Sequence, residues 1–413
     1  MVKFRWETEF KETEIGKIPK DWNVKRLGEL ADIKTGKTDV KDAVEDGKYP
    51  LFDRSEKVKR SNKYLFDTEA VIVPGEGRDF LPRYYKGKFD LHQRTYAIFN
   101  FRNLHGKYLY YAMHILRFYL REMAVGSTVL SLRLPIFQEL TIPYPPPEEQ
   151  QKIATVLSYF DDLIENKKKQ NEILEKIALE LFKNWFIDFE PFKDEEFIYN
   201  EELDKEIPKD WEVKRLGEIA ELIKGVSYKS SEISKEPEEN IFITLNNFLR
   251  GGGFKTEYIY YKGTKAKETQ KIKEGDLIIA LTDMTAEAKV VGAPAIVILP
   301  NNYEFGIISL DCAKIDVKDE FLKYYLYLYL KYSQKENSTF ANGVNVLHLK
   351  VELFKSSKFI LIPPQPILQN FHSLVQHLFK KIINNQKQIM VLKKIKDALL
   401  PKLVFGELRV EEL

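Results

Sequence analysis

Residues 18–31, Ile-Pro-Lys-Asp-Trp-Asn-Val-Lys-Arg-Leu-Gly-Glu-Leu-Ala, return at 207–220 with two changes, Asn23 against Glu212 and Leu30 against Ile219. The displacement of 189 positions (207 − 18) is far longer than a solenoid unit, so each copy opens a domain-sized half. A second matched pair closes the halves. Pro145-Pro146 leads into an apolar-periodic stretch to about Ile187, and Pro363-Pro364 into another to about Phe405, displaced by 218 (363 − 145). In that register Ile153 meets Phe371, Ile164 meets Ile382, Leu174 meets Leu392, Ile177 meets Ile395 and Leu181 meets Leu399. The offsets differ by 29 (218 − 189), which is extra sequence inside the second half. The frame is duplicated and its contents have diverged.

This reading sets a first mixed domain at 1–145, a long helix at 146–190, an acidic linker at 191–206, a second mixed domain at 207–362, and a second long helix with a tail at 363–413. Residues 1–14 read as a polar lead-in, and 10–16 faintly echo 199–205. Tyr64–Phe66, Ala70–Val73, Arg94–Phe101, Gly126–Leu134 and Leu140–Pro143 read as strands, and Tyr108–Leu120 as a helix. In the second half Gly275–Leu281 and Ala295–Leu299 read as strands and Phe321–Tyr332 as a helix, while Gly343–Leu349 answers Gly126–Leu132. In the first long helix Ile153, Phe160, Leu174 and Leu181 share one heptad position, and Val156, Leu163 and Ile177 share another. The seam breaks at Lys167 and Gln170, and in the second helix at Asn385 and Gln388, which predicts a polar layer near mid-length. The fold class expected is α+β: two domains related by a pseudo-twofold repeat and separated by two antiparallel helices paired as a coiled coil.

Enzyme chemistry is hard to find. Gly75-Glu76-Gly77 resembles a nucleotide loop, but Arg78-Asp-Phe-Leu-Pro82 follows it instead of a helix, so it reads as a turn. There is no Walker loop, and no Asn/Asp-Pro-Pro-aromatic element that would grip a flipped base. The lone Cys312 excludes an internal disulfide and a thiolate metal cage, and its apolar run reads as a buried strand. No catalytic residue, metal ligand or cofactor emerges. The amino terminus lacks an apolar signal core and no run reaches the span of a membrane helix, so a soluble, cytoplasmic chain is expected.

Net charge is only +2, so any nucleic-acid surface must be local. Basic, aromatic-studded loops supply candidates. Arg54, Lys57, Lys59, Arg60 and Lys63 cluster beside Tyr64; Arg78, Arg83, Lys86 and Lys88 surround Phe80, Tyr84 and Tyr85. Arg94 follows within Phe89–Tyr96, and Arg250, Lys255, Lys262, Lys265, Lys267 and Lys271 surround Phe254, Tyr258, Tyr260 and Tyr261. Such groups neutralise phosphates, and Arg there can read base edges; an ordinary solvated face is the alternative. Residues 188–206 are strongly acidic and should avoid DNA.

Three features together resemble the specificity subunit of type I restriction–modification systems: Gly16-Lys-Ile-Pro-Lys-Asp-Trp22 with Leu27-Gly28 and its second copy, Phe89-Asp-Leu-His-Gln-Arg-Thr-Tyr96, and Ile142-Pro-Tyr-Pro-Pro-Pro-Glu-Glu-Gln-Gln-Lys-Ile153. The second closing element, Ile362-Pro-Pro-Gln-Pro-Ile-Leu-Gln369, departs by lacking Glu-Glu-Gln. The resemblance implies two target-recognition domains, each reading half of a split site in double-stranded DNA. It also implies two modification subunits that methylate adenine and restriction subunits that cleave, with S-adenosylmethionine, ATP and magnesium belonging to those partners. A helix of roughly 37 residues would be about 55 Å long, on the order of one and a half turns of DNA. The apolar helix ends, Trp185, Phe186 and Phe189 with Leu403, Val404 and Phe405, read either as exposed docking points for partners or as packing against the chain's own domains. A DNA-acting enzyme and a coiled-coil scaffold without DNA binding are the rival readings.

Overall fold

The computed structural model describes residues 2–413 except Glu56, Ser127 and Ala286. It has two compact units, residues 1–164 with 392–413, and residues 165–391. The division runs through both long helices rather than setting them apart.

In the first unit the central sheet has six strands in the order Asp32–Thr35, Thr95–Phe99, Phe66–Pro74, Arg83–Leu91, Tyr49–Phe52, Lys59–Ser61. All neighbours are antiparallel except Tyr49–Phe52 beside Arg83–Leu91. Side chains alternate between its faces. Val71, Val73 and Ile98 pack under the helix Gly106–Met123, while Ala70, Ile72, Ala97 and Phe99 join Phe52, Phe66 and Phe89 on the other side. That helix buries Tyr108, Leu109, Ala112, Met113, Leu116 and Leu120, one stripe at helical spacing. Both faces are covered, which is why residues 70–74 read as a continuous apolar run.

Residues 126–134, expected as a strand, are not one. Val125 and Ser131 exchange backbone hydrogen bonds across a loop, and a helix follows at Leu134–Glu139; Ser127 lies outside the described residues. The polar lead-in also carries strands not expected there. Lys3–Trp6 pairs with Leu408–Glu412, and Phe10–Thr13 forms a hairpin with Gly16–Pro19.

The second unit divides the same plan between two sheets. Four strands run Ala220–Lys224, Cys312–Val317, Leu277–Ala280, Pro294–Ile296, and five run Ile233–Ser234, Ile259–Tyr261, Asn240–Ile243, Gly306–Ile308, Lys271–Ile272. The expected acidic linker is a hairpin here too, Phe197–Asn200 against Lys205–Pro208, in the place of Phe10–Pro19. Each hairpin buries so few side chains that period-two alternation does not show. Cys312 is fully buried in its strand, and burial pushes its thiol up.

The long helices are Pro147–Phe186 and Gln365–Val404. Pro147 starts the first at a position where no backbone N–H is needed, with Glu148 and Glu149 at the positive end of its dipole. Their antiparallel register is seen within each unit: Lys396 Nζ lies 2.6 Å from Asp161 in the first, and Asn385 donates to Asn171 Oδ1 at 3.0 Å in the second. The polar layer is present: Lys167 donates to Gln388 and Asn385 to Gln170. The second seam position differs from expectation. Val156 is buried as expected, but Leu163 and Ile177 are 48% and 43% exposed, and Leu157, Ile164 and Ala178, one residue further on from each, are buried. At 3.6 residues per turn both positions flank the first, and both are apolar here, so heptad spacing alone did not separate them.

Candidate nucleic-acid interface

Recognition is best sought where the halves share a frame but not a chemistry, and backbone hydrogen bonds locate that place. Gly36 N–H donates to Thr95 O at 3.3 Å, and Gly225 N–H to Cys312 O at 3.2 Å. Gly75 donates to Arg94 O and Leu132 to Gly75 O, each at 2.8 Å; Leu281 donates to Asp311 O and Leu349 to Leu281 O, each at 2.7 Å. Thr38 bridges His92 as Val226 bridges Ser309, and Glu76 bridges Ser131 as Thr282 pairs with His348. The expected match of Gly343–Leu349 to Gly126–Leu132 therefore holds residue for residue at its end.

The two glycines are steric necessities. A Cβ on Gly36 would lie 1.8 Å from Leu91 O, and one on Gly225 2.2 Å from Ile308 O. The offset between halves grows from 189 at Gly36/Gly225 to 206 at Gly75/Leu281 and 217 at Arg94/Asp311. Nearly all of the extra sequence therefore lies between these framework contacts, in the intervals that carry the strands of the second domain's five-stranded sheet.

Around this junction the first domain gathers Arg54, Lys59, Arg83 and Arg94. Arg94 pairs with Glu76, whose other oxygen is 3.8 Å from Arg54. Asp53 is 2% exposed; burial opposes its charge, but hydrogen bonds from Lys59 and Ser55 outweigh this and lower its pKa. It thereby ties Ser55 to Lys59, and the Arg83 guanidinium donates to Ser55 O from above the Phe52 ring. Burial also pushes His92 below its ordinary value, helped by Arg54 and Arg94, while its Nδ1 accepts from Arg94 N–H at 3.2 Å.

The remaining candidates of this domain are scattered. Arg60 turns back to Gly47 O at 2.8 Å, and Lys57 and Arg78 are exposed on loops. Lys86 lines a separate groove of about 390 Å³ with Glu69, Tyr84, His105 and Lys107.

In the second domain the expected single cluster divides. Lys265 and Lys267 line a groove of about 470 Å³ at the junction, with Lys224, Gln270, Thr282 and His348. Among the described residues no carboxylate pairs with these three lysines. Arg250, Lys255 and Lys262 lie elsewhere, each against an acid: Glu287 at 3.1 Å, Glu257 at 2.8 Å and Glu238 at 3.0 Å. Their spacing to aromatic residues had reflected sheet edges and loop packing, not one surface. Sequence reasoning missed Lys224, His348, Glu76 and Asp311. The available signal was the recurrence of glycine at 36 and 225, five residues after each copy of the repeat.

The expected exposed docking ends are corrected. Phe186, Phe189 and Leu403 are buried, as is Val404, and Trp185 and Phe405 are partly so. Phe186 packs against Trp211 and Phe371, and Leu403 belongs to the core around Trp22. Aromatic residues at a helix end close a domain core here, because each long helix ends inside one.

Among the described residues no cluster of His, Cys, Asp or Glu could hold a metal ion, and no helix is long and apolar enough to cross a membrane. What the junctions offer is cations, the carboxylates Asp53, Glu76 and Asp311 and the histidines His92 and His348 on backbone held by recurring hydrogen bonds, suited to binding polyanions and reading hydrogen-bonding edges.

Comparison with known proteins gives the family. The model of the type I restriction modification DNA specificity domain matches twice, at residues 19–176 and 208–394. Over its whole length the chain is 45% identical to the type I restriction enzyme MjaIX specificity subunit of Methanocaldococcus jannaschii, covering 99% of that protein. It is 35% identical to the EcoDI specificity subunit of Escherichia coli over 39% of this chain and 36% of that one. The crystal structure of the S subunit of a type I restriction–modification system from M. genitalium shares the fold, with a TM-score of 0.57 at 19% identity over 93% of this chain and 96% of that one.

Proposed function

The chain belongs to the type I restriction modification DNA specificity family and is a non-catalytic specificity subunit, and from that premise we propose that each domain reads one half of a two-part, asymmetric sequence in double-stranded DNA. The observation that carries this is the junction: five backbone contacts recur in both domains, while the side chains they present do not. A shared frame accounts for two readers of one kind, and unlike tips account for two unlike half-sites. The three lysines in the groove of the second domain supply phosphate neutralisation without an acid to compete.

The partners in this reading are two modification subunits, which hold S-adenosylmethionine and methylate adenine, and restriction subunits where present. The complex works in the cytoplasm, on the cell's own and incoming DNA. Docking falls to the outward face of the first long helix, where Leu163, Ile173 and Ile177 are exposed, rather than to the buried helix ends.

The test is methylome sequencing of cells carrying this chain with the modification subunit of its system. The expected result is adenine methylation at one bipartite, non-palindromic motif that vanishes when the chain is deleted. Methylation that persists without the chain, or a contiguous motif, overturns the reading.

A further inference from the structure

We infer that the pair of equivalent positions Arg94 and Asp311 sets the difference between the two half-sites, Arg94 selecting a guanine and Asp311 selecting a base that offers an exocyclic amino group. This deepens the functional reading above and rests on it. The equivalence is fixed by hydrogen bonds rather than by alignment: Arg94 O accepts from Gly75 N–H as Asp311 O accepts from Leu281 N–H, one residue before the strands Thr95–Phe99 and Cys312–Val317. The backbones on either side are equally constrained, by Gly36 and Gly225. The two side chains therefore leave the same point of the same frame.

Their chemistry is opposite. Arg94 is a pure donor, with its side chain 61% exposed and its guanidinium paired with Glu76, which is 16% exposed. An arginine held by a less exposed carboxylate is oriented before any ligand arrives, and its remaining N–H groups match the paired O6 and N7 acceptors of guanine. Asp311 is a pure acceptor, and its own contacts are long, 3.3 Å from Thr282 Oγ1 and 3.5 Å from the Tyr228 hydroxyl. It retains accepting capacity for an amino hydrogen, the one donor that cytosine and adenine show in the major groove. The surroundings differ in the same sense. Arg54 stands beside Glu76 in the first domain, whereas the neighbours of Asp311 are Thr282, Tyr228 and the exposed Leu310, with no cation paired to it among the described residues. The acid can face a base without first breaking an ion pair.

The experiment is the methylome of cells expressing the full complex with Arg94→Ala, Arg94→Lys, Asp311→Ala or Asp311→Asn. Arg94→Ala is expected to relax one guanine in one half-site by about ten- to hundredfold in discrimination, with the other half unchanged. Arg94→Lys keeps the charge without the fork and is expected to relax the same guanine at near-normal total methylation. It therefore decides the matter if the alanine variant marks too little DNA to read. Asp311→Ala is expected to relax one cytosine or adenine in the opposite half only, and Asp311→Asn to shift that position toward adenine. Unchanged motifs with Arg94→Lys and Asp311→Asn, or uniform weakening at every position, overturn the inference while leaving two-domain reading intact. A wild-type complex that marks no two-part motif overturns the functional reading itself.

Discussion

Trp22 Nε1 donates to Glu149 Oε2 at 3.0 Å, whereas Trp211 Nε1, at the same place in the repeat, is buried with no acceptor among the described residues. The difference lies in the closing elements. Glu149 and Gln150 are matched at the 218-residue offset by Ile367 and Leu368. In the first half Glu149 also binds Arg409, which reaches Asp21 at 3.0 Å and Glu7 at 2.7 Å, and Gln150 accepts from His105 N–H at 2.8 Å. Burial disfavours the Arg409 charge, but its bonds to Glu149 and Asp21 more than offset this and raise its pKa. The missing Glu-Glu-Gln therefore leaves the helix in place and removes a polar latch.

That asymmetry gives the first prediction. Trp22→Phe and Trp211→Phe remove the same volume from matching sites, so their cavity terms nearly cancel. Trp22→Phe also loses a hydrogen bond to a charged group and should cost about 2 kcal/mol more in urea unfolding. Equal losses would show that the indole–carboxylate contact adds nothing.

His114 gives a pH dependence. Its ring lies against Tyr110 at 4.8 Å, and burial, with Lys396 and Arg117 nearby, pushes its pKa from 6.5 to about 4. Between those values the unfolded chain holds a proton that the folded chain refuses, so stability falls as pH drops through that window and is unaffected above it. At pH 5 the loss relative to pH 7 is on the order of 2 kcal/mol. His114→Phe should abolish that part of the acid sensitivity, read as the difference in urea midpoint between pH 7 and pH 5. If variant and wild type lose the same amount, the histidine is not the cause.

The repeats, the long helices, their antiparallel pairing and the polar layer were legible, because each extends over many residues and leaves a period. Twelve Ile, Leu and Phe residues in the first long helix and fourteen in the second, spread along the length of each, overrule local noise. Strand ends, the hairpins at 10–19 and 197–208, and the irregular backbone at 128–132 were not, because each is fixed by a few backbone bonds that no local pattern encodes. The site was half legible for the same reason. Arg54, Lys59, Arg83 and Arg94 are far apart in sequence except for one pair, and only sheet order brings them together. Phe186 and Leu403 misled because an apolar helix end looks the same whether it meets a partner or its own core.

Asn385 in the polar layer is fully buried; its amide donates to Asn171 and Gln170 while its Oδ1 has no partner among the described residues. A half-satisfied amide in a helical seam costs stability and is kept for register. Asn385→Leu should therefore raise the calorimetric midpoint of unfolding, with the gain about 1 kcal/mol, since Asn171 and Gln170 are near enough to solvent to find water. A lowered midpoint would mean that the amide network is net stabilising.

The groove of Lys224, Lys265 and Lys267 makes the last prediction quantitative. Each lysine that neutralises a phosphate releases condensed counterion, so the slope of log affinity against log salt steepens by about 0.9 per contact. Lys265→Ala with Lys267→Ala should make that slope shallower by about 1.8 for the assembled complex on duplex DNA, measured by fluorescence anisotropy over a salt series. The methylation motif should stay the same, because phosphate contacts position the protein without reading sequence. This separates the lysines from Arg94, whose loss changes the motif. An unchanged slope would remove the groove from the DNA surface and shift the search to the Arg250 loop, whose charges would first have to leave Glu287 and Glu257.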